Sequence, residues 1–163
     1  MISTLTPCLW FDKEAEEAAK YYTGIFPNSR INSVTRYGKA GYDVHHQPEG
    51  TVMLVQFELN GQPFTALNGG PIFKFNESVS FQVLCEDQAE IDRYWQQLTA
   101  GGDPKAQQCG WLKDKYGLSW QVVPNNMPDL SSPSGQRAME AFLVMKKIDI
   151  ATLERAMAGA TAD

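Results

Sequence analysis

Thr4-Leu5-Thr6-Pro7-Cys8-Leu9-Trp10-Phe11 runs into Asp12-Lys13-Glu14-Ala15-Glu16-Glu17-Ala18-Ala19-Lys20-Tyr21-Tyr22. The same order returns at Ser78-Val79-Ser80-Phe81-Gln82-Val83-Leu84-Cys85, followed by Asp87-Gln88-Ala89-Glu90-Ile91-Asp92-Arg93-Tyr94-Trp95. In both copies a mostly apolar run stops at an acidic residue able to cap a helix, and an Ala-Glu pair and an aromatic pair follow at nearly matching offsets. Each copy is followed by a hairpin pattern. Val52 to Leu59 and Pro63 to Asn68 flank Asn60-Gly61, while Gln107 to Leu112 and Leu118 to Val123 flank Asp114 to Gly117. A duplicated strand-helix-hairpin module tends to line a pseudo-symmetric cavity between its halves, so a small-molecule pocket is the first functional expectation.

Working outward, Ala15, Ala18, Ala19, Tyr22 and Phe26 fall at helical spacing, with Glu14, Glu16, Glu17 and Lys20 on the other face. The pattern predicts a helix from Asp12 to about Thr23-Gly24, a turn at Pro27-Asn28-Ser29 and a strand from Ile31 to Tyr37. Gly38 to Gly50 is a long loop carrying His45 and His46, of the kind that is often functional. In the second copy Asp87 and Glu90 predict a helix start, and Gly101-Gly102-Asp103-Pro104 its end. Past Asn125 the repeat is broken by a turn-rich stretch, a helical pattern from Ser134 to Lys146, and a last helix capped by Asp149 and ending at Gly159. The expected organisation is one domain over residues 1–163, with module one at about 1–70, module two at about 76–124 and a helical tail at about 125–163.

A chain of 163 residues with 43% hydrophobic composition can bury a core without staples. It has no apolar run of about 18 residues, and Met1-Ile2-Ser3-Thr4 leads into the first strand without a basic region, so a protein of the cytoplasm is expected and membranes are not. The net charge is −5 and the 14 Lys and Arg are scattered, which argues against a nucleic acid partner. Cys8, Cys85 and Cys109 are odd in number and far apart, a pattern for reduced thiols and not for a disulfide framework or zinc knuckle.

Four longer strings narrow the reading. Ala66-Leu67-Asn68-Gly69-Gly70-Pro71, Phe75 to Phe81, Cys109 to Asp114 continuing through Ser119 to Pro124, and Met145 to Ile150 resemble the PhnB-like branch of the glyoxalase/bleomycin resistance/vicinal-oxygen-chelate superfamily, whose members are often labelled demethylubiquinone methyltransferase-like. The resemblance covers nearly the whole chain. It implies an α+β fold in which two βαβββ modules form curved mixed sheets around a cavity, with the C-terminal helices added, usually as a homodimer. Carried over by strand position, the metal-ligand places of catalytic members fall near Leu5 or Thr6, Ala66, Ser80 and Gln121. Only Gln121 among them is a credible donor, and an ion held by oxygen or imidazole usually needs about three or four. No metal and no cofactor are therefore expected.

Alternation along the strands instead suggests a ligand-binding set of Thr6, Cys8, Trp10, Asn68, Ser80, Gln82, Ser119 and Gln121, hydroxyls, amides and aromatics suited to a weakly polar small molecule. The alternative is an enzyme of isomerase, lyase or dioxygenase type with displaced groups from Glu58, Glu77 or a loop histidine. An interaction protein that dimerises is a third reading. Cys8 reads most simply as a small buried thiol, and Asp114 to Gly117 as a hairpin turn. Methyltransferase activity is not expected, because Asn68-Gly69-Gly70 follows a hairpin strand instead of opening a helix.

Overall fold

The computed structural model describes residues 4–159, so Met1 to Ser3 and the last four residues of the expected helical tail lie outside the described residues. The fold is α+β, with two mixed sheets and five α-helices among the described residues. The chain divides into two compact units, Met1–Phe75 and Asn76–Asp163. No helix is long and apolar enough to cross a membrane.

The first unit holds β1 (Cys8–Phe11), α1 (Ala15–Ile25), β2 (Arg30–Arg36), α2 (Tyr42–His45), β3 (Val52–Leu59) and β4 (Gln62–Asn68), in sheet order β1-β4-β3-β2. β1 lies parallel to β4 and the other neighbours are antiparallel. β1 starts later than Thr4 because Pro7 has no N–H for the ladder and contributes only its carbonyl, to Thr65. Ala15, Ala18, Ala19 and Tyr22 of α1 pack against Leu9, Phe11, Val55, Phe57, Phe64 and Ala66, all buried. Asn60 and Gly61, at φ 48° and 79°, form the tight turn that the Asn-Gly pair foretells. α1 is not capped by Asp12. Its preceding residue is Glu14, which gives no side-chain cap, and the Ala15 N–H donates to Asn68 Oδ1 at 2.8 Å.

The second unit holds β5 (Phe81–Cys85), α3 (Gln88–Thr99), β6 (Trp111–Lys113), β7 (Ser119–Pro124), α4 (Pro133–Leu143) and α5 (Ile150–Ala158), with a 3₁₀ turn at Pro104–Ala106. Its sheet order is β5-β7-β6, with β5 parallel to β7. Asp87 caps α3 by accepting from the Glu90 N–H at 2.8 Å, as the Asp-x-x-Glu pattern predicts, and Asp149 caps α5 through Thr152 N–H at 2.7 Å. The expected Gln107 to Leu112 strand is interrupted. Gln108 and Trp111 exchange backbone hydrogen bonds around Cys109 and Gly110, whose φ values of 50° and 79° make a two-residue hairpin turn. The counterpart of β2 is thereby reduced to the single bridge at Gln108. The turn also ties down the tail, since Cys109 and Gly110 N–H donate to the carbonyls of Met145 and Lys146.

Candidate functional site

Helices pack on one face of each sheet, α1 in the first unit and α3 in the second. In the first unit the parallel register Cys8↔Thr65, Trp10↔Leu67 puts these four on the face away from α1, together with Leu54, Gln56 and Glu58 of β3. Cys8 is exposed, correcting the expectation of a buried thiol, because β1 is an edge strand and Cys8 alternates with the buried Leu9. Partial desolvation holds its thiol above the ordinary value. Thr6 is exposed ahead of β1. Trp10 is fixed in place: its indole N–H donates to Gly70 O at 2.8 Å, Phe73 meets its ring edge-on at 4.9 Å, and a Cβ on Gly69 would lie 2.1 Å from its ring. Gly69 is therefore a glycine so that Trp10 can lie on it, not to hold a phosphate.

Asn68 takes the opposite face. It pairs in register with Phe11, is buried, accepts from Ala15 N–H and donates to Val52 O at 3.0 Å. The structure does not gather it with Thr6, Cys8 and Trp10; Thr65 and Leu67 occupy the positions expected for it. Ala66, one of the carried-over ligand places, is likewise fully buried on the α1 side.

In the second unit hydrogen bonds join three of the four expected residues. Gln121 Nε2 donates to Ser80 Oγ at 2.8 Å, and Gln82 Nε2 to Gln121 Oε1 at 3.3 Å. Trp111 is the cross-strand partner of Gln121, and Lys113 of Ser119. Ser119 is buried, and its hydroxyl has no hydrogen-bond partner.

Several polar groups were missed or weighed differently from sequence. Glu58 is bonded by Arg30 and Asn32, and Glu77 is paired with Lys113, whose hydrogen bond holds the Glu77 carboxyl below the usual carboxylate range. Asp114 is more than a turn residue: its buried carboxylate accepts from Tyr116 N–H, Leu118 N–H and the Trp120 indole. Of the two loop histidines, His45 ends the short helix α2 and His46 follows it in the left-handed region at φ 54°. His45 Nδ1 accepts from Gln47 N–H at 2.9 Å, so Nε2 carries the proton and donates to Ala40 O. Both ring nitrogens are thus occupied. Among the described residues no three His, Cys, Asp or Glu side chains are grouped to hold a metal ion. A groove of about 640 Å³ is bordered by Lys13, by Glu16 and Lys20 of α1, and by Gln47, Val52 and Asn68.

This arrangement, a sheet with a parallel edge strand and one helix-covered face in each unit, agrees with the comparisons. The family described as 3-demethylubiquinone-9 3-methyltransferase matches residues 3–123. The chain belongs to this family. It lies in the PhnB-like branch of the vicinal-oxygen-chelate superfamily. Among solved structures, a PhnB protein from Bacillus cereus is 36% identical, with TM-score 0.62, covering 74% of this chain and 99% of its own. A Pseudomonas aeruginosa protein is 17% identical with TM-score 0.57, covering 76% and 98%. A mutant of the fosfomycin resistance protein FosX from Listeria monocytogenes, complexed with Mn(II) and a dihydroxypropylphosphonic acid, is 16% identical with TM-score 0.53, covering 80% and 98%. The last two share the fold. No curated protein matches the chain in sequence.

Proposed function

We propose that this PhnB-like protein binds a small organic molecule on the face of the β5-β7-β6 sheet away from α3 and does so without the metal site of the superfamily's enzymes. The observation that carries the reading is the Ser80–Gln121–Gln82 hydrogen-bond chain beside Trp111, a pre-aligned set of amides and a hydroxyl on that face. Trp10, locked against Gly69 and Phe73, gives the first unit's sheet an aromatic residue of its own on the Cys8 face.

The Mn(II) of the fosfomycin resistance protein raises the question of a metal here. The donor set does not fit one: Thr6, Ser80 and Gln121 supply hydroxyls and an amide, and Ala66 supplies nothing and points at α1. The family description names methyl transfer, but the only glycine pair after a first-unit strand, Gly69-Gly70, serves Trp10 and leads into irregular chain. Neither chemistry finds its residues on these faces.

A fragment screen by protein-observed NMR tests the reading. Hits are expected to move the Gln82 and Gln121 side-chain amides, and Gln121→Leu to remove them. Hits clustering elsewhere, or none at millimolar concentration, would overturn it. The protein is proposed to act in the cytoplasm, where Cys8, Cys85 and Cys109 stay free, and as a homodimer. A scattering mass near one 18.2 kDa chain at micromolar concentration would sink the dimer.

A further inference from the structure

The face of the β5-β7-β6 sheet away from α3 carries two rows of side chains. Gln82, Gln121 and Trp111 form one, each in register with the next. In the other, Ser119 stands opposite Lys113, and Ser80 is tied in by the hydrogen bond from Gln121. Lys113 carries the only charge in these rows. It is largely covered, with its side chain 26% exposed, whereas the Glu77 side chain that pairs with it is 65% exposed and lies outside the sheet. Ser119, opposite Lys113, is 1% exposed and its hydroxyl is unpartnered. Buried hydroxyls are normally paired, so one left over on the strand position opposite a lysine marks a place for an acceptor.

We propose that these rows bind a small organic carboxylate. Its oxygens replace the Glu77 carboxylate on Lys113 and accept from the Ser119 and Ser80 hydroxyls, while its apolar part lies on Trp111. The inference rests on the small-molecule reading above and adds the ligand's charge. The donor count supports it. Ser80 Oγ accepts from Gln121 and keeps its own O–H to give, and Gln82 Nε2 has a second N–H beyond the one on Gln121. A group that only accepts, and is negative, satisfies this surplus best, and such charge-assisted bonds are the stronger kind. Glu77 is then a built-in competitor. Water screens the pair at its Glu77 end, which is 65% exposed, so an external carboxylate that also gains the two hydroxyls can displace it.

Sodium benzoate is the probe, titrated into the ¹⁵N-labelled full chain while the Gln82 and Gln121 amides and the Trp111 indole are followed. Saturable shifts of these signals are expected in the wild type. Binding should tighten by about threefold in Glu77→Gln, which removes the competitor, and weaken by about tenfold in Lys113→Met, which keeps the stem and loses the charge. Neutral benzamide should bind about tenfold more weakly than benzoate. Lys113→Gln is a second variant should Lys113→Met fail to fold. Equal binding of benzoate and benzamide would overturn the carboxylate assignment and leave the small-molecule reading standing. Absence of binding, or benzoate shifts unchanged by the Glu77 and Lys113 substitutions, would overturn it as well.

Discussion

Trp120 and Val122 are buried at 3% and 0% exposure on the helix side of β7, and Gln121 between them turns to the other face. This alternation was legible in the sequence. Trp120→Ala and Val122→Ala should each cost about 2–5 kcal/mol in urea denaturation, and Gln121→Ala within about 0.5 kcal/mol. Similar losses for all three would contradict the strand's two-sidedness. Asp114 was not legible as more than a turn, because its importance comes from the Trp120 indole arriving across the hairpin at 2.9 Å. Asp114→Ala should leave several donors unpaired and cost about 2 kcal/mol or more, with Asp114→Asn milder. Cys85 is a third case. Burial, followed by the nearby Glu90, pushes its thiol up to about 11, so at pH 8 very little is thiolate. Peptide mass spectrometry after iodoacetamide treatment at pH 8 should find Cys85 unmodified in the native protein and modified in urea.

Helix starts separate into two kinds. Asp87 and Asp149 cap their own helices, and both could be read from spacing alone. The Thr152 side chain and backbone hydrogen bonds hold the Asp149 carboxyl below its ordinary value. A carboxyl depressed by folding stabilises above its unfolded value, and that contribution fades as pH falls through the folded value. Asp149→Ala should therefore cost about 1 kcal/mol at neutral pH, and the difference from wild type should shrink in acid below the usual carboxylate range. Melting curves of both proteins across pH check this; a constant gap down to strong acid would refute the cap. α1 is the other kind. Its first N–H is met by Asn68, 53 residues away, so no local pattern could place the start at Ala15 instead of Asp12. The Cys109-Gly110 turn was also hidden, since Cys is an unusual residue for φ 50° and only the exchange of bonds between Gln108 and Trp111 shows it.

At the scale of the whole chain the superfamily's metal is the sharpest question. Its carried-over positions offer hydroxyls, one amide and an alanine facing α1, so dialysis against a chelator should leave the melting temperature unchanged. A rise of several degrees on adding one equivalent of a divalent ion would contradict this, because an ion bound specifically stabilises the folded state by mass action. The order of strands and helices, the Asn60-Gly61 turn and the caps at Asp87 and Asp149 were determined by the sequence, since each depends on residues within a turn or two of one another. The faces were decided only by tertiary structure. Whether Asn68 meets a ligand or a helix depends on its register with Phe11 on a distant strand, and a shift of one residue reverses the answer. The pairing of Glu77 with Lys113 and the unpartnered hydroxyl of Ser119 belong to the same class, because both arise where separate strands and segments meet.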